Sequence, residues 1–197
     1  MTIALWITLA IVVVALAWGI GIYNRLVQLR NRIANAFAQI DVQLKRRYDL
    51  IPNLVEATRA YIKHEASTLE AVISARGAAV NAASQARARP VDATAIASLG
   101  AAEQILGGSL GRLFALAEAY PTLKADETVR SLTEELTSTE NRVSFARQAY
   151  NDEVLTYNNA RAQFPDVLVA QTTGFAPAAM LESTQSAQER EAPRISL

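Results

Sequence analysis

The sequence predicts an all-α protein: an antiparallel up-and-down four-helix bundle of long helices with an N-terminal transmembrane helix. The first observation behind this prediction is an uncharged apolar run from Ile3 to Tyr23. The second is that apolar residues recur at steps of three and four over most of the remaining chain, which is the spacing of one helix face. The third is that the helical stretches are separated by short breaks at proline, which favours neighbouring antiparallel helices. We therefore assign residues 1–23 to a transmembrane anchor, 24–165 to the bundle and 166–197 to a partly ordered C-terminal tail.

Composition limits the range of functions. The chain has 197 residues, enough for one domain and an anchor, with 19 basic and 19 acidic side chains. Because the net charge is zero, no overall field attracts nucleic acid, and we expect no nucleic-acid partner. The absence of cysteine excludes a disulfide framework, a thiolate metal site and a cysteine nucleophile.

The apolar run is long enough to cross a membrane. About 21 helical residues span roughly the 30 Å hydrocarbon layer. Trp6 lies near one end, and Trp18 and Tyr23 lie near the other, where amphipathic aromatic side chains favour the lipid interface. Two other interpretations are a cleaved signal peptide, for which Ala15-Leu16-Ala17 offers a site, and a buried core helix. No basic residue precedes the run and it stays apolar beyond that site, so a retained membrane span is favoured.

Charges beside the run predict its orientation. Arg25, Arg30 and Arg32 follow the span closely enough to meet anionic headgroups, whereas the other flank has no lysine or arginine. Positively charged flanks tend to stay in the cytoplasm, so we expect a single-pass protein of the cell membrane with the N-terminus outside and the bundle in the cytoplasm. The periplasmic side is the alternative.

Apolar spacing and proline positions predict the first two helices of the bundle. A stripe of large apolar side chains should end at Pro52, with Asp49 capping the next helix, because the residue before proline avoids the α region. That next helix should extend to Arg87. It should weaken over residues 63–67, where Ser67 could cap a new start. The stripe of the first helix comprises Leu26, Leu29, Ile33, Phe37, Ile40, Leu44, Tyr48 and Ile51, and the buried residues expected in the second are Leu54, Val55, Tyr61, Ile62, Leu69, Val72, Ile73 and Val80.

The remaining two helices are predicted over about 93–120, capped by Asp92, and about 126–163. Glycines at 107, 108 and 111 in the third should mark a kink or a close backbone approach. The fourth has a seven-residue repeat that is typical of coiled-coil packing, formed by Val129, Leu136, Val143, Tyr150, Tyr157 and Phe164. The aromatic side chains expected in the core are Phe37, Tyr61, Phe114, Tyr150, Tyr157 and Phe164.

Few residues suggest chemistry. His64 is the single histidine, too few for a zinc site, and neither a catalytic triad nor a phosphate loop can be assembled. We therefore predict no catalytic residue, no metal and no cofactor. A basic collar at Lys45, Arg46 and Arg47 has two interpretations: a solvated helix end in which Asp41 pairs with Lys45, or a surface that binds a partner or a phosphate group.

Two long stretches resemble the LemA family. The first, from Tyr23 to Leu54, reads YNRLVQLRNRIANAFAQIDVQLKRRYDLIPNL, and the second, from Glu134 to Asn158, reads EELTSTENRVSFARQAYNDEVLTYN. The resemblance implies one N-terminal membrane helix and an antiparallel helical bundle. It implies no shared catalytic residues, and members of the family have been linked to membrane organisation, including in magnetosome-forming bacteria. Further matching residues are Val55-Glu56, Tyr61, His64-Glu65, Phe164-Pro165 and Gly174-Phe175.

These observations favour a non-enzymatic membrane scaffold. Its expected partners are membrane lipid, further copies of the same chain and a second membrane protein, because long helices leave alanine-rich faces free for close packing. The alternative is a regulatory or adaptor subunit of a membrane protease or signalling complex, acting through the basic collar or the tail. An enzyme is the weakest hypothesis, since no pair of acidic residues is predicted to face the interior.

Overall fold

The computed structural model describes residues 2–62 and 65–181. Within these ranges the all-α prediction is confirmed, because the chain forms six helices and no strand. Their bounds are α1 Thr2–Arg59, α2 Ala66–Ala88, α3 Ala93–Ala119, α4 Pro121–Lys124, α5 Glu127–Ala162 and α6 Asp166–Thr173.

The long helices run antiparallel to their neighbours in sequence. Helices α1 and α5 also run antiparallel, since Phe37 stacks edge-on against Tyr150, whereas Arg46, later in α1, bonds Glu135, which is earlier in α5. Helix α2 returns along α1, and α3 packs beside α2. Asp92 caps α3 as predicted, because its side chain accepts a hydrogen bond from the Ala95 backbone amide at 2.8 Å.

The prediction that a helix ends at Pro52 is wrong. Helix α1 continues through this residue to Arg59, so Asp49 is an interior helix residue and not a cap. Proline lacks the amide that would bond the carbonyl four residues earlier, which here is that of Tyr48. The guanidinium of Arg76 on α2 supplies the missing donor, with its Nε 2.6 Å from the Tyr48 carbonyl oxygen. Packing of α2 thus supports a proline that would otherwise destabilise the helix.

Replacing Arg76 with methionine is expected to lower the free energy of unfolding by about 1.5–3 kcal/mol, because a carbonyl at the proline loses its charged donor. Chemical unfolding of the full chain in detergent, followed by circular dichroism, measures the change. Arg87→Met is the matched control, since the bond of Arg87 to Asp41 is exposed and should contribute less than about 1 kcal/mol. An equal loss of unfolding free energy in the two variants would contradict the proposal that Arg76 stabilises α1 at Pro52.

The helix does break where the sequence weakens. Helix α1 ends at Arg59 and α2 begins at Ala66, preceded by Glu65, whose side chain makes no capping hydrogen bond. Ser67 therefore does not cap this helix, because it already lies in the first turn. Lys63 and His64 lie outside the described residues, as do the acidic tail residues Glu182, Glu189 and Glu191.

The core follows the predicted stripes on α1 and α5, and on α2 it follows the prediction in part, since Leu69 and Val72 are buried as expected. All the stripe residues predicted on α1 are buried, and so is the α5 repeat from Val129 to Tyr157. Phe164 is exposed because it follows the end of α5, and Tyr61 is exposed because it follows the end of α1. Ile73 and Val80 also face solvent, contrary to prediction, because α2 buries alanine: Ala75, Ala79, Ala82, Ala83 and Ala86.

Glycines do not interrupt α3. The helix is continuous from Ala93 to Ala119, so the predicted kink does not occur. A methyl group added at Gly108 or Gly111 would meet no atom within 4 Å, so neither residue is required for a close approach within the described chain. At Gly107 the nearest atom would be a guanidinium nitrogen of Arg47, 4.0 Å away.

The tail folds back on the bundle as far as Leu181. After α6, the chain extends along α5, and its backbone is held by side chains of that helix. Asn158 both donates to and accepts from Ala178, at 2.9 and 3.0 Å, and Asn151 bonds the backbone of Leu181 in the same reciprocal way. The Tyr150 hydroxyl oxygen lies 2.9 Å from each of two acceptors, the carbonyl oxygens of Pro90 and Ala179. Its proton is shared between them, so Tyr150 links the α2–α3 turn to the tail.

Candidate functional site

The apolar N-terminal segment of α1 extends beyond the bundle, and residues 3–18 are exposed. It is the one helix in the described ranges that is long and apolar enough to cross a membrane, and none of its apolar window is buried. That exposure argues against a core helix, because a core helix would be covered by the rest of the fold. Trp6 and Trp18 are both exposed on this segment. This surface indicates membrane association.

The predicted interface residues divide into two groups. Arg30 and Arg32 are exposed on α1 just beyond the apolar segment. By contrast, Arg25 lies 3.2 Å from a carboxylate oxygen of the buried Asp166 at the start of α6, so its charge is engaged within the protein. Tyr23 is also engaged, since its ring packs edge-on against Phe175 with the ring centres 5.4 Å apart. Contacts to lipid at these positions remain a prediction.

A second polar feature lies inside the bundle. Arg47 on α1 is buried, with Nη1 2.6 Å from Glu103 Oε2 on α3 and Nη2 2.9 Å from Glu140 Oε2 on α5. Tyr48 donates to the other oxygen of Glu103 at 2.6 Å. Burial, followed by the neighbouring Glu103 carboxylate, raises the pKa of the Tyr48 hydroxyl, so it stays protonated as a donor. We call Arg47, Tyr48 and Glu103, together with the half-exposed Glu140 at their edge, the buried charge cluster.

The buried charge cluster borders a cavity of about 340 Å³ between α1, α3 and α5. Arg147 also lines it, and its Nε atom is buried without a hydrogen-bond partner among the described residues. Burial lowers the pKa of the Arg147 guanidinium, while the Glu140 carboxylate raises it. Because Arg47 bonds the carboxylates of both Glu103 and Glu140, the cluster joins α1, α3 and α5.

The structure divides the basic collar predicted from the sequence. Lys45 and Arg46 are exposed, and Arg46 pairs with Glu135 on α5 through its Nε at 3.1 Å. Arg47 instead faces the interior, so it does not belong to a solvent-facing collar. Asp41 pairs with Arg87 of α2 at 2.7 Å rather than with Lys45, which corrects the expected pair within the helix.

The partners of Arg47 were not predicted from the sequence. Glu103 is the single charged residue between Ala93 and Gly111, and an acid isolated in such an apolar helix could have suggested a buried counterion. Glu140 and Arg147 gave no such signal, because α5 carries many charges on its exposed side. Within the described residues no group of three or more histidine, cysteine or acidic side chains could hold a metal ion.

An exposed apolar segment continuous with a helical bundle defines a membrane-associated, all-α protein. The chain belongs to the LemA family, whose model matches residues 36–197. It is similar to magnetosome protein MamQ of Magnetospirillum gryphiswaldense, with 27% identity over 168 residues that cover 78% of this chain. Magnetosome proteins MamQ 1 and MamQ 2 of Paramagnetospirillum magneticum match to the same extent. In each case the match spans 62% of the relative's own length.

Proposed function

We propose that this protein is a non-enzymatic, single-pass membrane scaffold that self-associates through the outer face of α2. The main support is that α2 leaves two of its four large apolar residues, Ile73 and Val80, exposed on its outer face while it buries alanine on the inner face together with Leu69 and Val72. A surface helix of a monomer normally has the opposite arrangement. The relatives named as magnetosome proteins support a role in membrane organisation.

The outer face of α2, defined by Ile73, Gly77, Val80 and Ser84, is suited to contact with another helix. These residues follow steps of four, three and four, so they share one side. The small residues at 77 and 84 allow close backbone approach. Arg76, the one charged residue between Glu70 and Arg87, donates inward to the Tyr48 carbonyl and leaves this face uncharged.

Helix α1 connects the proposed association of the bundles to the membrane anchors. Since α1 runs without a break from Thr2 to Arg59, the anchor and the bundle share one axis of about 87 Å. Copies that meet through α2 would therefore hold their anchors in a fixed relative position. We place the bundle in the cytoplasm, because Arg30 and Arg32 follow the span.

A single cysteine at position 73 is expected to form a disulfide-linked dimer in native membranes. The chain has no cysteine, so Ile73→Cys is the sole thiol. Leu155→Cys, on the exposed side of α5, is the matched control and should remain monomeric. Adding Val80→Glu to Ile73→Cys should strongly reduce the dimer, because a charge would be buried in the contact. Equal cross-linking at positions 73 and 155, or none at 73, would contradict the proposal.

The basic collar supports the adaptor hypothesis less well. Of its three residues, Arg47 is buried and Arg46 is paired with Glu135, which leaves Lys45 as the exposed cation with no ion pair among the described residues. A partner that binds here would have to displace Glu135 from Arg46. We therefore retain Lys45 and Arg46 as a secondary candidate for binding a membrane protein.

A further inference from the structure

Helix α6 lies beside the C-terminal end of the anchor, next to the part of α1 that precedes the bundle. Its first residue, Asp166, bonds Arg25 at 3.2 Å. Val169 and Thr173, one turn apart, line a shared groove of about 330 Å³ with α1. The residues that α1 contributes to this groove are Ala15, Leu16, Gly19, Ile20 and Tyr23. The last turn of α6 therefore lies alongside the apolar run that precedes Arg25.

The surface formed by α6 and the residues around it is suited to lipid. No charged residue occurs from Val167 to Leu181, and the nearest acid, Asp166, is buried against Arg25. The largest side chains on the outside are apolar, since Phe164 is 79% exposed and Leu168 is 55% exposed. On the groove side of α6, Val169 and Thr173 connect this helix to the exposed apolar surface of the anchor.

The threonine hydroxyls and the C-terminal turn of α6 are satisfied within the helix, and Gln171 is its exposed polar side chain. The Thr172 and Thr173 hydroxyls donate to the Leu168 and Val169 carbonyl oxygens at 2.9 and 2.6 Å, which removes the need for water as an acceptor. At the end of the helix, Gly174 adopts φ 76°, and the following amide, that of Phe175, donates to the Ala170 carbonyl at 3.0 Å. A helix completed in this way tolerates an interfacial environment.

We propose that α6, with Phe164 and Leu168, forms a second membrane contact that enters the headgroup and outer acyl region of the bilayer beside the anchor. This inference rests on the proposed function, because it requires that α1 spans the membrane. From Ala15 to Tyr23 the rise of α1 is about 12 Å, so α6 reaches roughly the depth at which interfacial helices lie. Arg25 and Asp166 neutralise each other at the upper edge of this contact.

Spin-label accessibility in the full-length protein tests the depth of α6. Single-cysteine variants Leu168→Cys, Phe145→Cys and Leu9→Cys carry a nitroxide in vesicles of phosphatidylcholine and phosphatidylglycerol. Phe145 is 73% exposed in the middle of α5 and serves as the aqueous control, while Leu9 reports the anchor. Collision rates are measured with oxygen, which concentrates in lipid, and with a neutral nickel chelate, which stays in water. The circular dichroism spectrum of each variant verifies that the bundle has folded.

The ratio of the oxygen rate to the nickel rate is expected to be several-fold larger at position 168 than at position 145, and to approach the value at position 9. A ratio at 168 equal to that at 145 would place α6 in water and overturn the inference. Shielding of 168 from both reagents would show protein cover instead of lipid and would also overturn it. A water-like ratio at position 9 would refute the anchor itself, and with it the proposed function.

Discussion

Replacing Arg47 with methionine is expected to lower the free energy of unfolding by about 3–5 kcal/mol, the cost of leaving a buried charge without its partner. Glu103 is almost fully buried, and without Arg47 it keeps one hydrogen bond, from Tyr48. Chemical unfolding of the full chain in detergent, monitored by circular dichroism at several denaturant concentrations, measures this loss. The large effect would show that the buried charge cluster holds α1, α3 and α5 in register.

The neighbouring arginine provides a matched control. Arg46 forms an exposed pair with Glu135, so Arg46→Met should change stability by less than about 1 kcal/mol. The double variant Arg47→Met with Glu103→Leu should recover most of the loss, because it removes both buried charges and keeps the volume apolar. If Arg47→Met lowered the free energy of unfolding by no more than Arg46→Met does, Arg47 would not be a structural ion-pair residue.

Introducing two arginines into the anchor, Val12→Arg with Val13→Arg, is expected to release the protein from the membrane. Each arginine near the centre of a spanning helix costs about 2.5–3.5 kcal/mol, so the pair opposes insertion by about 5–7 kcal/mol. Both side chains are exposed on the apolar segment of α1, and their replacement leaves the bundle core unchanged. The fraction of protein in the membrane pellet after alkaline carbonate extraction measures the effect.

The control carries the same added charge on the bundle. Val42→Arg with Phe145→Arg changes two exposed apolar residues outside the anchor and should leave membrane retention unaltered. Loss of retention in both double variants would attribute the effect to total charge instead of the anchor. Full retention of the Val12 and Val13 variant would contradict a membrane-spanning α1.

The long helices and most of their buried residues were predictable because their signal is local. Apolar residues at steps of three and four fix which side of α1, α3 and α5 is covered, whatever covers it. For the same reason the apolar N-terminal segment and the Asp92 cap were evident from adjacent residues. Helix α2 is different. Only its larger apolar residues were predicted to be buried, and the burial of alanine in place of Ile73 and Val80 depends on how closely α1 and α3 approach, which spacing does not encode.

The sequence by itself determined that this protein is an all-α chain with one apolar segment suited to a membrane. Only the tertiary structure decided that α1 passes through Pro52, because the compensating donor, Arg76, comes from another helix. The tertiary structure also decided that Arg47 is buried and Arg46 is exposed. The counterions of Arg47, which are Glu103 and Glu140, are remote from it along the chain. Local sequence patterns indicate where a helix is stable. Whether a polar side chain can be buried depends instead on hydrogen-bond and ion-pair partners that folding brings close to it.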